Sequence, residues 1–284
     1  MTTHADHGSY YLPAPSHWPI VGSAALLCLA VGATLAIHSL AGGSFLLGAG
    51  AAILAAMLIG WFGKVIDESE GGLHSAQVDH SFRWGMSWFI FSEVMFFAAF
   101  FGALFYGRIV SVPWLASGDN LLLWPGYTGG WPTAGPGLKV AFTPMAAWGI
   151  PAINTLILLT SGGTVTWAHW ALKKGSRTQL KLGLLFTVLL GASFLTLQVH
   201  EYMEAYEHLG LTLGAGIYGA TFFMLTGFHG LHVTIGTLML SVILGRSLAG
   251  HFNTEHHFAF EAVSWYWHFV DVVWLLLFLF VYWL

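Results

Sequence analysis

Long apolar runs separated by short polar segments are the dominant pattern along this chain of 284 residues. The clearest run covers the 24 residues between Arg83 and Arg108, of which only Glu93 is charged. Because an α-helix rises 1.5 Å per residue, this run can cross the roughly 30 Å apolar core of a bilayer. The pattern predicts a spanning helix with a carboxyl group about 15 Å from Arg83, close to its middle. An ionised carboxylate facing lipid there costs about 2.5 kcal/mol or more, so Glu93 must face protein, stay protonated or find a partner.

The same pattern predicts an all-α integral membrane protein with seven spanning helices. Helices 1 and 2 form a hairpin over 18–63, because Gly42-Gly43-Ser44 divides an apolar run that is too long for one helix. Helix 2 also carries small residues at four-residue spacing, namely Gly48, Ala52 and Ala56. Such a stripe lets two helices approach closely. A five-helix bundle occupies 82–284. The predicted helices cover about 18–41, 44–63, 82–110, 144–172, 182–199, 217–244 and 259–284.

Three polar segments outside these runs are predicted to lie in water. A tail over 1–17 holds His4 and His7 without a third ligand nearby, and it lacks the basic start of a secretory signal. A loop over 64–81 combines carboxylates and histidines, namely Asp67, Glu68, Glu70, His74, Asp79 and His80. Their spacing matches no compact metal-binding motif, so we predict a solvated loop. An acidic turn contains Glu201, Glu204 and Glu207. We interpret it as a solvated face, and the alternative is a docking site for a basic partner.

Composition and charge support a membrane location and indicate an orientation. Only 8% of the residues are charged, whereas a soluble domain carries about a quarter. A net charge of −4 argues against a nucleic-acid partner, and the single Cys28 argues against a disulfide framework. One predicted side of the membrane receives Lys64, Arg83, Lys173, Lys174, Arg177, Lys181 and Arg246, and the other only Arg108 and Lys139. The positive-inside rule therefore predicts a cytoplasmic N-terminus and an external C-terminus.

Ionisable residues within the predicted helices are the candidates for chemistry. His229 and His232 stand three apart on helix 6, and His268 and Asp271 share that spacing on helix 7. Residues three apart share a helix face. With Glu93 they could form a metal or haem site, a proton relay, or a polar network that holds helices together. Two histidines supply at most half of a tetrahedral metal site, so we favour the structural network, with a proton-linked role as the alternative.

Four strings carry a family resemblance. They are SFRWGMSWFIFSEVMFF, INTLILLTSGGTVTWAH, YGATFFMLTGFHGLHVTIG and FEAVSWYWHFVDVVWLLLF. Together with the spacing between them, they resemble subunit III of cytochrome c oxidase from about Trp61 to the last residue. The resemblance implies a seven-helix fold in which a V-shaped, lipid-holding cleft separates helices 1 and 2 from helices 3 to 7.

The resemblance also implies the function. The chain would be a non-redox subunit of a proton-pumping complex that passes electrons from cytochrome c to O2, in a bacterial-type cytoplasmic or mitochondrial inner membrane. It would contact subunit I, lie in the same complex as subunit II, bind phospholipid and support proton uptake by subunit I. Haem and copper would belong to those partners, so we assign this chain no cofactor, metal ligand or catalytic residue. The alternatives are a subunit of a related quinol oxidase and a freestanding proton- or metal-coupled transporter.

The resemblance assigns several residues. Glu93 matches the buried carboxyl group of the family, and Arg246 matches a basic residue at the cytoplasmic end of helix 6. Positions near the lipid cleft are matched by Trp61, Glu68, His74, Arg83 and Phe89. Many members have Trp and an Arg-Asp pair where this chain has Phe62 and Gly63-Lys64, which changes the expected contacts to lipid headgroups.

Overall fold

The structure is a computed structural model that describes residues 14–284, and within that range it contains helices and no β-strand. His4, His7 and most of the predicted N-terminal tail lie outside the described residues. The long helices are α1 (Trp18–Ile37), α2 (Gly43–Glu70), α3 (Ala76–Phe105), α4 (Ile150–Lys173), α5 (Arg177–Glu207), α6 (Gly216–Ala249) and α7 (Phe258–Leu277). A π-helical turn, Tyr106–Ser111, extends α3 to Leu115, and another, Phe278–Trp283, extends α7.

Six of these helices are long and apolar enough to cross a membrane within the described part of the chain. The exception is α4, which has 24 residues and carries a series of hydroxyl and glycine residues over 160–166 that lowers its hydropathy. The all-helical membrane architecture predicted from the sequence is therefore supported by six helices. The seventh span stays a prediction.

The chain divides into two compact units, one ending at Phe82 and one beginning at Arg83 within α3. In the first unit α1 and α2 pack as a hairpin. A Cβ atom added to Gly43 would lie 2.6 Å from the backbone nitrogen of Ala36, and one added to Gly50 would lie 2.9 Å from that of Leu29. The two backbones are therefore in contact.

The prediction that Gly48, Ala52 and Ala56 mediate this contact is wrong. A Cβ atom on Gly48 would meet nothing within 4 Å, and Ala52 and Ala56 are exposed. The buried residues of α2 are instead Gly43, Gly50 and Met57, which are seven apart. A seven-residue spacing keeps one seam facing a neighbouring helix, whereas the predicted stripe starts five residues beyond Gly43 and lies on another face.

The predicted loop over 64–81 is also wrong in its extent, because α2 continues to Glu70 and α3 begins at Ala76. Charged residues mark the end of an apolar span and not the end of a helix. Lys and Glu are good helix formers, so α2 can continue past the apolar run into a polar environment.

The second unit comprises α3 from Arg83 onward together with α4 to α7, and its core lies around Trp267 and Trp274 of α7. Trp267 is fully buried and donates a hydrogen bond from Nε1 to Ser161 Oγ on α4 at 2.9 Å. Trp274 donates likewise to Thr155 Oγ1 at 2.9 Å. Because both indoles bond to the same helix, α4 and α7 are held in one register.

Candidate functional site

Glu93 and His232 form a hydrogen-bonded pair that joins two helices of the second unit. Glu93 Oε2 lies 3.0 Å from His232 Nε2, which joins the middle of α3 to the middle of α6. Aromatic rings surround the imidazole: Phe97 lies edge-on at 5.0 Å, and Tyr266 stacks at 6.3 Å between ring centroids. The carboxyl group that the sequence leaves without a partner therefore contacts a histidine on another helix.

The other nitrogen of His232 restricts where the proton of this pair can be. His232 Nδ1 lies 2.6 Å from the backbone carbonyl oxygen of Phe228, and because a carbonyl only accepts, Nδ1 carries a hydrogen. Two arrangements remain: the protonated Glu93 carboxyl group donates a hydrogen bond to Nε2 of a neutral imidazole, or an imidazolium donates to the Glu93 carboxylate. Both are electrically neutral overall, so the pair avoids an uncompensated charge among apolar side chains.

His268 and Asp271 form a second, separate polar site on α7. His268 Nδ1 lies 3.7 Å from Asp271 Oδ2, and His268 Nε2 lies 3.3 Å from Thr166 Oγ1 on α4. A Cβ atom on Gly162 would come within 2.5 Å of Asp271 Oδ2. A larger residue at this position of α4 would therefore require the carboxyl group of Asp271 to move.

His229 stands apart from both sites. It is almost fully buried between aromatic rings, with Phe194 at 5.7 Å and Trp274 at 5.2 Å between centroids. Neither ring nitrogen has a hydrogen-bond partner among residues 14–284. The four residues assigned to one polar network thus occupy three separate places in the bundle.

The acidic turn differs from its sequence interpretation. Glu201 is fully buried, whereas Glu207 is exposed. Tyr282 donates a hydrogen bond to Glu201 Oε1 at 2.6 Å, and Gln198 Nε2 lies 3.4 Å from the same oxygen. The prediction that Glu201 lies on a solvated face is therefore wrong. The reason is that α5 continues to Glu207 and directs positions 198, 201 and 205 inward.

The residues assigned to lipid are divided between the two units. In the first unit Trp61 is exposed, Glu68 is half-buried and the His74 ring packs edge-on against Phe82 at 5.1 Å. In the second unit the contacts are an Arg83–Glu261 ion pair, a stacked Phe89–Tyr266 pair, and Arg246 over the ring of Phe252 at 4.6 Å. Four of the six therefore contact a neighbouring side chain, namely His74, Arg83, Phe89 and Arg246.

One cluster has no counterpart among the sequence predictions. His169 Nε2 and His257 Nε2 each lie 3.4 Å from Glu261 Oε1, while Arg83 pairs with Glu261 Oε2. The i,i+4 spacing of His257 and Glu261 is visible in the sequence, but no local signal connects them to His169 on another helix. Only the packing of α4 against α7 completes the cluster.

Comparisons with known proteins cover the full length of the chain. The family described as cytochrome c oxidase subunit III matches residues 7–284. The protein named cytochrome c oxidase subunit 3 is 43% identical in Branchiostoma lanceolatum and in Drosophila melanogaster over 284 residues, covering 100% of this chain and 99% of each relative. The protein of that name from Marchantia polymorpha is 42% identical over 275 residues, 96% of either chain.

Proposed function

The chain belongs to the cytochrome c oxidase subunit III family, and from this premise we propose that it is a non-redox subunit that stabilises an oxidase complex and supports its proton uptake. The observation that supports this proposal best is the Glu93–His232 pair. The Nε2 atom of His232, through which it would bind a haem iron or another metal, contacts Glu93. The Nε2 atom of His268 contacts Thr166. Both histidines therefore join one helix of the second unit to another.

We propose that the lateral surface of the second unit faces lipid and other subunits. Large apolar side chains are exposed on α3, including Trp88, Phe91 and Met95. In water such a surface would drive association, whereas in a bilayer it meets acyl chains or a neighbouring subunit. Direct contact with subunit I is part of this proposal, and the names of the relatives favour cytochrome c over quinol as the donor to the complex.

We further propose that α4 is the seventh span and that the N-terminus is cytoplasmic. At 1.5 Å per residue, its 24 residues are long enough to cross a bilayer. Within the second unit, Arg83, Arg177 and Arg246 lie at the end where α4 finishes and α7 begins, and Arg108 lies near Leu284 at the other. This asymmetry supports the proposed orientation. The lipid-holding cleft implied by the resemblance stays a prediction.

Co-purification tests the proposal directly. An affinity tag on this chain, with solubilisation of native membranes in mild detergent, should recover a complex with a haem optical spectrum in a fixed ratio to the chain. The same tag on an unrelated membrane protein of the host controls for non-specific capture. Recovery of the chain as a stable, haem-free assembly from cells that contain an active oxidase would refute the proposal.

Substitution of Glu93 tests whether the Glu93–His232 pair is structural. In Glu93→Gln the amide can still donate to His232 Nε2, so we expect the complex to assemble and its initial turnover to stay within about twofold of the unmodified enzyme. In Glu93→Leu the imidazole loses its partner while buried, which costs about 1–3 kcal/mol. We expect the Glu93→Leu chain to dissociate from the complex at a lower detergent concentration than the unmodified chain does.

Turnover and subunit content of the two purified complexes distinguish the roles. If Glu93→Gln abolished initial electron transfer while the subunit was retained, Glu93 would take part in the reaction and the structural role would be wrong. If Glu93→Leu retained the subunit as firmly as Glu93→Gln, the pair would contribute nothing to stability.

A further inference from the structure

We propose that His169, His257 and Glu261 form a binding site for a divalent cation of the Zn²⁺ type. The ligand atoms offered by the three residues lie within 4.8 Å of one another. Two imidazoles and one carboxylate, with a fourth position left for water, are a ligand set that Zn²⁺ uses in proteins. The site lies at the end of the second unit where α4 finishes and α7 begins.

The two histidine–carboxylate distances in the cluster match tetrahedral coordination. A Zn²⁺ ion binds His nitrogen and carboxylate oxygen at about 2.0–2.2 Å, so two ligand atoms of one tetrahedron lie roughly 3.4 Å apart. His169 Nε2 and His257 Nε2 each lie 3.4 Å from Glu261 Oε1. These separations are longer than a good hydrogen bond. They suit two ligands that share a cation better than a donor and its acceptor.

Both histidines present the required nitrogen to the site. His257 Nδ1 donates to the backbone carbonyl of Asn253 at 3.1 Å, which leaves the lone pair of Nε2 directed at Glu261. A hydrogen bond from the second ring nitrogen to a backbone carbonyl is the usual support of a metal-binding histidine. His169 Nε2 is buried and has no hydrogen-bond partner among the described residues. A cation between the three residues would satisfy this nitrogen.

Arg83 sets the orientation of the carboxylate and limits the affinity. Because the guanidinium group engages Oε2, Oε1 of Glu261 is left to face the two imidazoles. Arg83 also balances the charge of Glu261, and Lys173 lies one turn beyond His169 on α4. A bound Zn²⁺ would therefore carry uncompensated positive charge, so we infer an exchangeable cation that ties α4 to α7. The sequence predicts no metal ligand in this chain, and this inference departs from that expectation without assigning a redox role.

Zinc binding to the full chain in detergent tests the inference. Equilibrium dialysis against Zn²⁺ should give one bound ion per chain. His169→Ala and His257→Ala should each lower the affinity for Zn²⁺ by at least about tenfold. His256→Ala is the matched control, since His256 precedes His257 and is exposed, and it should bind as the unmodified chain does. Circular dichroism of each variant confirms that it is folded.

Cobalt substitution gives a second measurement that depends on no variant. Co²⁺ bound by two imidazoles and a carboxylate in a four-coordinate site should give visible bands that Zn²⁺ abolishes. Absence of these bands from the unmodified chain, or Zn²⁺ binding that is unchanged in folded His169→Ala and His257→Ala, overturns the assignment.

Discussion

Trp267→Ala should destabilise the second unit by about 3–5 kcal/mol, the range for removing a large aromatic side chain from a packed core. The indole is fully buried and contacts three helices besides its own. It bonds to Ser161 on α4, and its ring lies 2.9 Å and 2.8 Å from Cβ positions built on Gly191 of α5 and Gly236 of α6. Removing the indole therefore leaves a cavity where α7 meets α4, α5 and α6. The free energy of unfolding, measured by titrating the chain from mild detergent into SDS, gives the loss.

Trp170→Ala is the matched control for this substitution. Trp170 lies on α4 with 62% of its surface exposed, so its removal creates no cavity. We expect a change in unfolding free energy within about 0.5 kcal/mol. If Trp170→Ala and Trp267→Ala were equally destabilising, the bundle core would not lie where the structure places it.

Gly183→Leu should separate α4 from α5 and destabilise the chain by roughly 1–3 kcal/mol or more. A Cβ atom at position 183 would lie 2.9 Å from the Cβ of Ala168 and 3.0 Å from the carbonyl oxygen of Thr164. Even the first atom of a side chain therefore collides, and a leucine drives the two backbones apart. The Thr164–Thr187 hydrogen bond of 2.8 Å across the same contact would be lost with it. The same titration into SDS measures the loss.

Gly163→Leu places the same side chain on the open face of α4. A Cβ atom there meets nothing within 4 Å, and leucine has the higher helix propensity, so we expect unchanged or slightly raised stability. A Gly183→Leu chain as stable as Gly163→Leu would show that α4 and α5 do not make this close contact.

The apolar spans and the need to satisfy Glu93 were predictable because both depend on local sequence. A run of 24 residues with one charge fixes a helix of spanning length, and the cost of a carboxylate in lipid requires a partner for it. The identity of that partner was not predictable. His232 is 139 positions from Glu93, and the i,i+3 spacing that grouped it with His229 says nothing about which helix packs opposite.

The wrong predictions have a common physical cause. Each inferred burial or a helix contact from residue polarity or spacing, whereas the packing of the helices determines both. Glu201 resembles a surface residue because of its acidic neighbours, yet α5 turns it toward Tyr282. The stripe beginning at Gly48 has the spacing of a helix contact, but the contact with α1 follows Gly43 and Gly50. The cluster of His169, His257 and Glu261 needs three positions from two parts of the chain, so no single segment indicates it.

The central claim is that the ionisable groups of this chain bind neighbouring side chains, while electron transfer takes place in other polypeptides. Locating the redox centres after the complex is dissociated tests this claim most directly. The purified complex is separated in detergent, and reduced-minus-oxidised spectra with iron and copper analysis are recorded for this chain and for the remainder. We expect all haem absorbance, iron and copper in the remainder and none with this chain. Haem, iron or copper that stays bound to the isolated chain would contradict the claim.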